Sequence, residues 1–196
     1  GNAMVNRIQA VPRASLQGLL LVVAPHWQHE FFGQSVCLVV HHSSERAIGV
    51  FLNHSLGKTP LALWHHLAGE QPVSRSINFG GPHSGPVVAL HDRRELAEFT
   101  SAEGVYLAAQ IDHLRQLVTS PKDESAVKII VGQADWQAGQ LDAQFANGQW
   151  LPLPVSPSIV FADESEMWGR AMRQIGNHFV ASIAGCSGQP RDLLAN

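Results

Sequence analysis

Apolar positions along this chain recur in two rhythms, and the changes between them mark out most of the elements. Residues 19–24, Leu-Leu-Leu-Val-Val-Ala, form a short continuous apolar run, the pattern of a strand covered on both faces. Residues 36–40 and 48–52 are two more such runs, separated by the polar stretch 41–47, which predicts a hairpin of buried strands. Leu61, Trp64 and Leu67 recur at three-residue steps, with Pro60 placed to open a short helix and Gly69 to end it. Strands are expected over 87–90 and 104–108. A helix carrying Ile111, Leu114, Leu117 and Val118 follows, terminated by Pro121. Residues 127–131 are β-branched and continuous and read as a central strand. Asp135 is placed to cap a helix starting at Trp136 and stopping at Asn147-Gly148. Trp150-Leu151-Pro152 leads towards a last strand over 158–161. Asp163, with Glu166 three residues on, then resembles a capping box for a helix with Met167, Trp168, Ala171, Met172 and Ile175 on one face. Strands and helices mix without regular βαβ alternation, so the fold class is α+β.

Length bounds this reading. A chain of 196 residues buries one substantial core, and one compact domain is expected. Gly1-Asn2-Ala3 ahead of Met4 reads as an expression scar, 4–15 as an N-terminal extension, 16–185 as the domain and 186–196 as a tail. A formal charge of −3, with no Lys/Arg cluster, gives no footprint for a phosphate backbone and disfavours direct nucleic-acid binding. The apolar run at 19–24 is far short of the roughly 20 residues that span a bilayer, and it ends in Pro25-His26-Trp27 instead of a cleavage site, so no membrane role is expected. The two cysteines, Cys37 and Cys186, lie far apart and in no CxxC, which fits a reducing, cytoplasmic setting.

The most unusual stretch is INFGGPHSGPVVALH, residues 77–91. It has neither of the glycine signatures that cradle phosphates, and Pro82 and Pro86 remove two backbone donors that an anion nest would use. Paired glycines at Gly80 and Gly81 fit better as a close backbone approach in an inter-strand turn. The 11 histidines contain no H-E-x-x-H, and His41 and His42 point to opposite faces of an extended strand, so neither metal nor cofactor is expected. The chain has no G-x-S-x-G; Ser35 and Cys37 look structural, and no acidic pair stands out for acid–base work. Trp136, Trp150 and Trp168 read as core residues whose indole N–H groups meet carbonyls.

Taken in order, LQGLLLVVAP, FFGQSVCLVVHH, AIGVFLNHSL, FGGP with VALH, VGQADWQAGQLDAQFANGQWLPLP and MWGRAMRQIG resemble the AlgH/YqgE family of bacterial proteins over roughly residues 16–185. The resemblance implies one α+β domain with a branched, partly barrel-like mixed sheet and flanking helices. It implies no established reaction; some members are called transcriptional regulators on genetic grounds, without a DNA-binding motif. Family positions match at Ser35, His42, Asn53, Gly80, Gly81, Pro82, His91, Gly132, Trp136 and Trp150. The chain departs from the pattern at His29 (usually Asp), Gln34 (often Arg), His41 (often Glu), Arg46 (near a loop Gly) and Ser55 (a turn Pro). The losses at His29 and Gln34 remove two charged groups from one surface.

The expected function is therefore a non-enzymatic regulatory or binding protein working through an unknown protein or small-molecule partner. The alternative is a small-molecule-binding protein or hydrolase with a pocket near His42, Asn53 and His91, lined by Gly80, Gly81 and Pro82. Asn53 would orient a ligand or hold the glycine turn, and the histidines would exchange hydrogen bonds. Equally, all three could satisfy buried backbone groups.

Overall fold

The continuous apolar runs become strands with both faces covered, and the reason is a pair of sheets with core on each side. The computed structural model describes residues 15–56, 61–69, 75–121 and 123–187. Strands β1 (Leu19–Val23), β2 (Val36–His42), β3 (Arg46–Phe51), β9 (Ala134–Gln137) and β10 (Trp150–Pro154) form one sheet in the order β10-β1-β2-β3-β9, antiparallel throughout. Strands β4 (Ile77–Phe79), β5 (Val88–His91), β6 (Phe99–Ala102), β7 (Val105–Ala108) and β8 (Val127–Val131) form the second, ordered β4-β8-β5-β7-β6, with only β4 and β8 parallel. Helices α1 (Leu61–Ala68), α2 (Ile111–Thr119), α3 (Gln140–Ala146), α4 (Pro157–Val160) and α5 (Glu164–Ser187) flank them. The α+β single domain is as expected, but both sheets are open, and the partly barrel-like closure is replaced by two joined sheets.

Side-chain alternation sorts the core. Leu20, Val22, Val36 and Leu38 face Leu90, Ile130, Ile159 and Met167 between the sheets and α5. The intervening Leu21, Val23, Cys37 and Val39 face Trp136, Leu141 and Trp150 on the outer side of the first sheet. Ile77, Ala89 and Ile129 face Leu67, Leu114 and Leu117 of α1 and α2 on the outer side of the second. The central-strand reading of 127–131 holds in that β8 has a neighbour on each side.

Two expected elements change type. Trp136 lies in strand β9, not in a helix, because period-two alternation wins: Ala134 and Trp136 point inward, opposite Gly49 and Ala47 of β3. The helix begins only at Gln140, after Gly139 turns the chain with φ 73°, and it stops at Asn147-Gly148 as expected. Residues 150–154 are the last strand, and 157–160 form helix α4, opened by Pro157 at its first turn. Pro152 and Pro154 are tolerated in β10 because it is an edge strand. Pro60 and the side chains of Leu61 and Trp64 lie outside the described residues, although α1 itself and its stop at Gly69 are present. Helix α5 runs to Ser187, past the expected domain end at 185. Asp163 does cap it, but through the N–H and hydroxyl of Ser165.

The sheets are joined where β3 ends. Phe51 N–H donates to the Gly80 carbonyl (2.9 Å), and Gly80 N–H donates to Val131 of β8 (2.8 Å). The Asn78 carboxamide accepts from His54 N–H (2.9 Å) and donates to the Phe51 carbonyl. Lys128 Nζ donates to the Leu52 carbonyl (2.9 Å). A Cβ at Gly80 would collide with the Gly132 carbonyl, and one at Gly81 with the Gln133 backbone, so the paired glycines exist to let two backbones touch. His83 and Gln133 exchange backbone hydrogen bonds just beyond (2.9 and 3.0 Å). Replacing Asn78 with Ala strands the Phe51 carbonyl and the His54 N–H, and the expected loss is about 2–4 kcal/mol. Urea unfolding of Asn78→Ala checks this; an unchanged midpoint would show that the join is held elsewhere.

Candidate functional site

The expected site residues are not gathered into one pocket. His42 ends β2 at the outer corner of the first sheet, Asn53 follows β3 at the join, and His91 ends β5 in the second sheet with no exposed surface. Asn53 Oδ1 accepts from Val36 N–H (3.0 Å) and its Nδ2 donates to the Gln34 carbonyl (2.8 Å), so its amide is committed to backbone. Gly80 and Gly81 are buried in the join, with Pro82 exposed beside them. Of the three roles open to Asn53, these bonds are those of a side chain satisfying backbone groups, at Gln34 and Val36 and not at the glycine turn.

His42 does open onto a cavity of about 760 Å³, between the turn after β2 and helix α3, lined by Ser15, Leu16, Ser43, Asp142, Ala143 and Phe145 among others. Leu16 N–H donates to His42 Nδ1 (2.8 Å), so Nε2 carries the ring proton and donates to Asp142 Oδ1 (3.0 Å). The imidazole is mostly covered, whereas half the Asp142 side chain is exposed. Asp142 lies 100 residues from His42, and nothing in the sequence links them.

A second polar pair also escapes the sequence. Ser35 Oγ and His54 Nε2 share a hydrogen bond of 2.6 Å. Ser35 follows Gln34, which has a left-handed φ of 55°, the only positive φ on a non-glycine among the described residues. A hydroxyl bonded to an imidazole is the core of an activated serine, yet Ser35 has no exposed surface and no carboxylate stands within ion-pair distance of His54 among the described residues. His54 instead stacks on Phe31 with an interplanar angle of 11°. Its burial lowers its proton affinity below the usual histidine range. Nearby, His29 Nδ1 accepts the N–H groups of Phe31 and Phe32 (3.0 and 3.1 Å), doing as a ring the capping that an aspartate does as a carboxylate.

The remaining buried polar groups serve the scaffold. His91 Nδ1 accepts from Arg93 N–H (3.1 Å), leaving Nε2 buried without a partner. Burial lowers the proton affinity of His91, partly offset by Asp92. Lys128, 11% exposed at its side chain, lies 3.6 Å from Glu164; burial lowers its proton affinity and Glu164 opposes this. Burial drives the Cys37 thiol far above the usual thiol range, out of reach of thiolate chemistry. Trp136 and Trp150 both donate to Gln144 Oε1 (3.1 and 2.9 Å), and Trp168 donates to the Val23 carbonyl (2.9 Å), as expected of core indoles. Among the described residues no three His, Cys, Asp or Glu side chains gather as a metal site, and no helix is long and apolar enough to cross a membrane.

Two open antiparallel-rich sheets, joined through an Asn-Phe-Gly-Gly crossing and edged by one His–Asp cleft, define an α+β class of small proteins. The chain belongs to the AlgH-like family, whose model matches residues 20–180. A UPF0301 protein of Chlamydia caviae is 31% identical over 194 residues, covering 95% of this chain and 98% of that one. One of Chlorobium luteolum is 29% identical over 167 residues, covering 83% and 87%. Among solved structures, protein DIP2367 of Corynebacterium diphtheriae superposes with a TM-score of 0.65 at 24% identity, covering 81% of this chain and 86% of that one. The solution structure of the AlgH protein of Pseudomonas aeruginosa gives 0.60 at 24%, covering 93% and 94%. At these identities the structures establish the fold alone.

The buried His91 and the half-buried His54 set a pH response. In the fold burial lowers the proton affinity of both, while in the unfolded chain they titrate at their ordinary value of 6.5. Below that value the unfolded state takes up protons that the folded state refuses, so stability is complete above it and falls as the pH drops towards the lowered folded values. Chemical unfolding between about pH 7.5 and 5 is expected to show this decline, with a shallower slope in His91→Gln. An identical slope in the variant would remove His91 from the account.

Proposed function

We propose that this protein is a non-enzymatic binding protein whose ligand or partner docks in the cleft between the turn after β2 and α3. The observation that carries the reading is the contrast between the cleft and the interior. His42 and Asp142 stand at an open cavity but are fixed to one another and to Leu16 N–H, a geometry that orients a guest without supplying a free acid and base. Ser35 and Cys37 have no exposed surface, and the exposed Ser15 hydroxyl at the cleft donates to the His42 carbonyl (3.2 Å) while Leu16 N–H occupies His42 Nδ1 (2.8 Å). The walls suit a small molecule with an apolar part on Phe145, Ala143 and Leu16 and a donor for the exposed Asp142 carboxylate. A charge of −3 without a basic cluster supports regulation through such a ligand or a protein partner in the cytoplasm, not through direct contact with DNA.

Native mass spectrometry of the protein purified from cells, beside a denatured control, tests this reading. A discrete mass excess that is lost on denaturation and reduced in Asp142→Ala is expected; an excess unchanged in that variant would place the ligand elsewhere, and a bare mass would favour a protein partner.

The short Ser35–His54 bond next to the strained Gln34 favours a second reading, a hydrolase with a covered serine. It requires the loop 25–34 to open. Incubation with a fluorophosphonate probe is expected to leave Ser35 unlabelled; a labelled adduct that disappears in Ser35→Ala would establish the hydrolase.

A further inference from the structure

The chain between β1 and β2 is a loop folded back on itself. Trp27 N–H donates to the Ala24 carbonyl (3.0 Å), Gly33 N–H to the His29 carbonyl (2.9 Å) and Ser35 N–H to the Phe32 carbonyl (3.0 Å). The His29 ring and the Asn53 carboxamide add the side-chain bonds described above. Compact loops of this length, ordered by their own contacts, frequently carry function.

Between this loop and α5 lies a cavity of about 500 Å³. Trp27 lines it from the loop and Trp168 from the helix, and both are half-buried, so part of each indole is wetted there. Each ring is held in place. Trp27 meets Trp150 nearly at a right angle (83°, centroids 5.4 Å apart), and Trp168 is fixed by its bond to the Val23 carbonyl (2.9 Å).

The charge on the walls is one-sided. Glu30 is the only Asp, Glu, Lys or Arg lining the cavity, and among the described residues its carboxylate has neither an ion pair nor a hydrogen bond. His29 accepts two N–H groups at Nδ1 and adds no positive charge there. Indole faces are electron-rich and attract cations, best those that are weakly hydrated. An anion would meet the Glu30 carboxylate, and a metal ion lacks a cluster of three His, Cys, Asp or Glu ligands among the described residues. A positively charged organic group answers both the rings and the carboxylate.

We propose that this cavity binds an organic ammonium group, placed between the indoles of Trp27 and Trp168 and countered by the Glu30 carboxylate. The exposed Gln28 and Gln34 carboxamides at the same cavity are left to hydrogen-bond the polar substituents of the guest. No residue of this cavity lines the cleft at His42, so the site stands independently of the one proposed above.

Choline is the probe, and its uncharged analogue with carbon in place of the quaternary nitrogen is the control. Titration of the isotope-labelled full chain, followed by nuclear magnetic resonance at the indole N–H groups, is expected to shift Trp27 and Trp168 with a Kd of about 1–10 mM. The uncharged analogue is expected to bind about threefold or more weaker, and choline to bind Glu30→Gln about threefold or more weaker. Unchanged positions of the other indole signals in the free variant confirm that it folds. No shift of either indole by about 100 mM choline would overturn the proposal. Equal binding of the uncharged analogue, or undiminished binding of choline by Glu30→Gln, would do the same.

Discussion

The carboxamide of Asn78 is the contact on which the two-sheet arrangement turns. It is 2% exposed, and it satisfies one donor and one acceptor of the chain leaving β3. Without a side chain of that length carrying both functions, the backbone at Phe51 and His54 would have to be buried unsatisfied, which folded proteins avoid. The paired glycines then let the strand after Asn78 lie directly on the Gly132-Gln133 backbone, where any Cβ would intrude. Lys128 binds the Leu52 carbonyl on the same crossing, and Asn53, within it, ties the crossing to the Gln34 carbonyl ahead of β2, so five polar or minimal residues fasten one region.

This helps to explain why the polar residues that attract functional interest are dispersed. In a molecule with core on both faces of both sheets, a chain crossing from one sheet to the other must pass through apolar surroundings, and its peptide groups need partners there. Ser35, Asn53, His54, Asn78 and Lys128 all lie on or beside that crossing. Their hydrogen-bonding capacity is largely committed internally, and the open polar chemistry is left to corners such as that of His42 and Asp142.

Much of the fold was legible because the apolar runs were continuous: β1, β2, β3 and β8 are marked by the sequence close to their observed limits, and α2 and α5 by their three-to-four periodicity. The failures share a cause. At 134–137 and 150–154, aromatic and proline residues obscured a period-two pattern that only pairing with β3 and β1 reveals. The Trp indoles were legible as core because a large ring with one donor has few other places to go. The site was less legible. Asn53, Gly80 and Gly81 stand out as unusual in the sequence, and a structural role is one of the two open to them; the His42–Asp142 and Ser35–His54 pairs, 100 and 19 residues apart, arise from tertiary packing that no local signal reports.

The order of the strands along the chain bears on how the protein is made. Residues 77–131, which hold the entire second sheet, interrupt the first, whose edge strand β10 and opposite edge β9 come from 134–154. A chain leaving the ribosome therefore presents Leu19–Val23 long before its partner, Trp150–Pro154, has been synthesised. The most apolar strand of the molecule waits with one side unpaired through the translation of more than half the sequence, the condition under which nascent chains aggregate or engage chaperones.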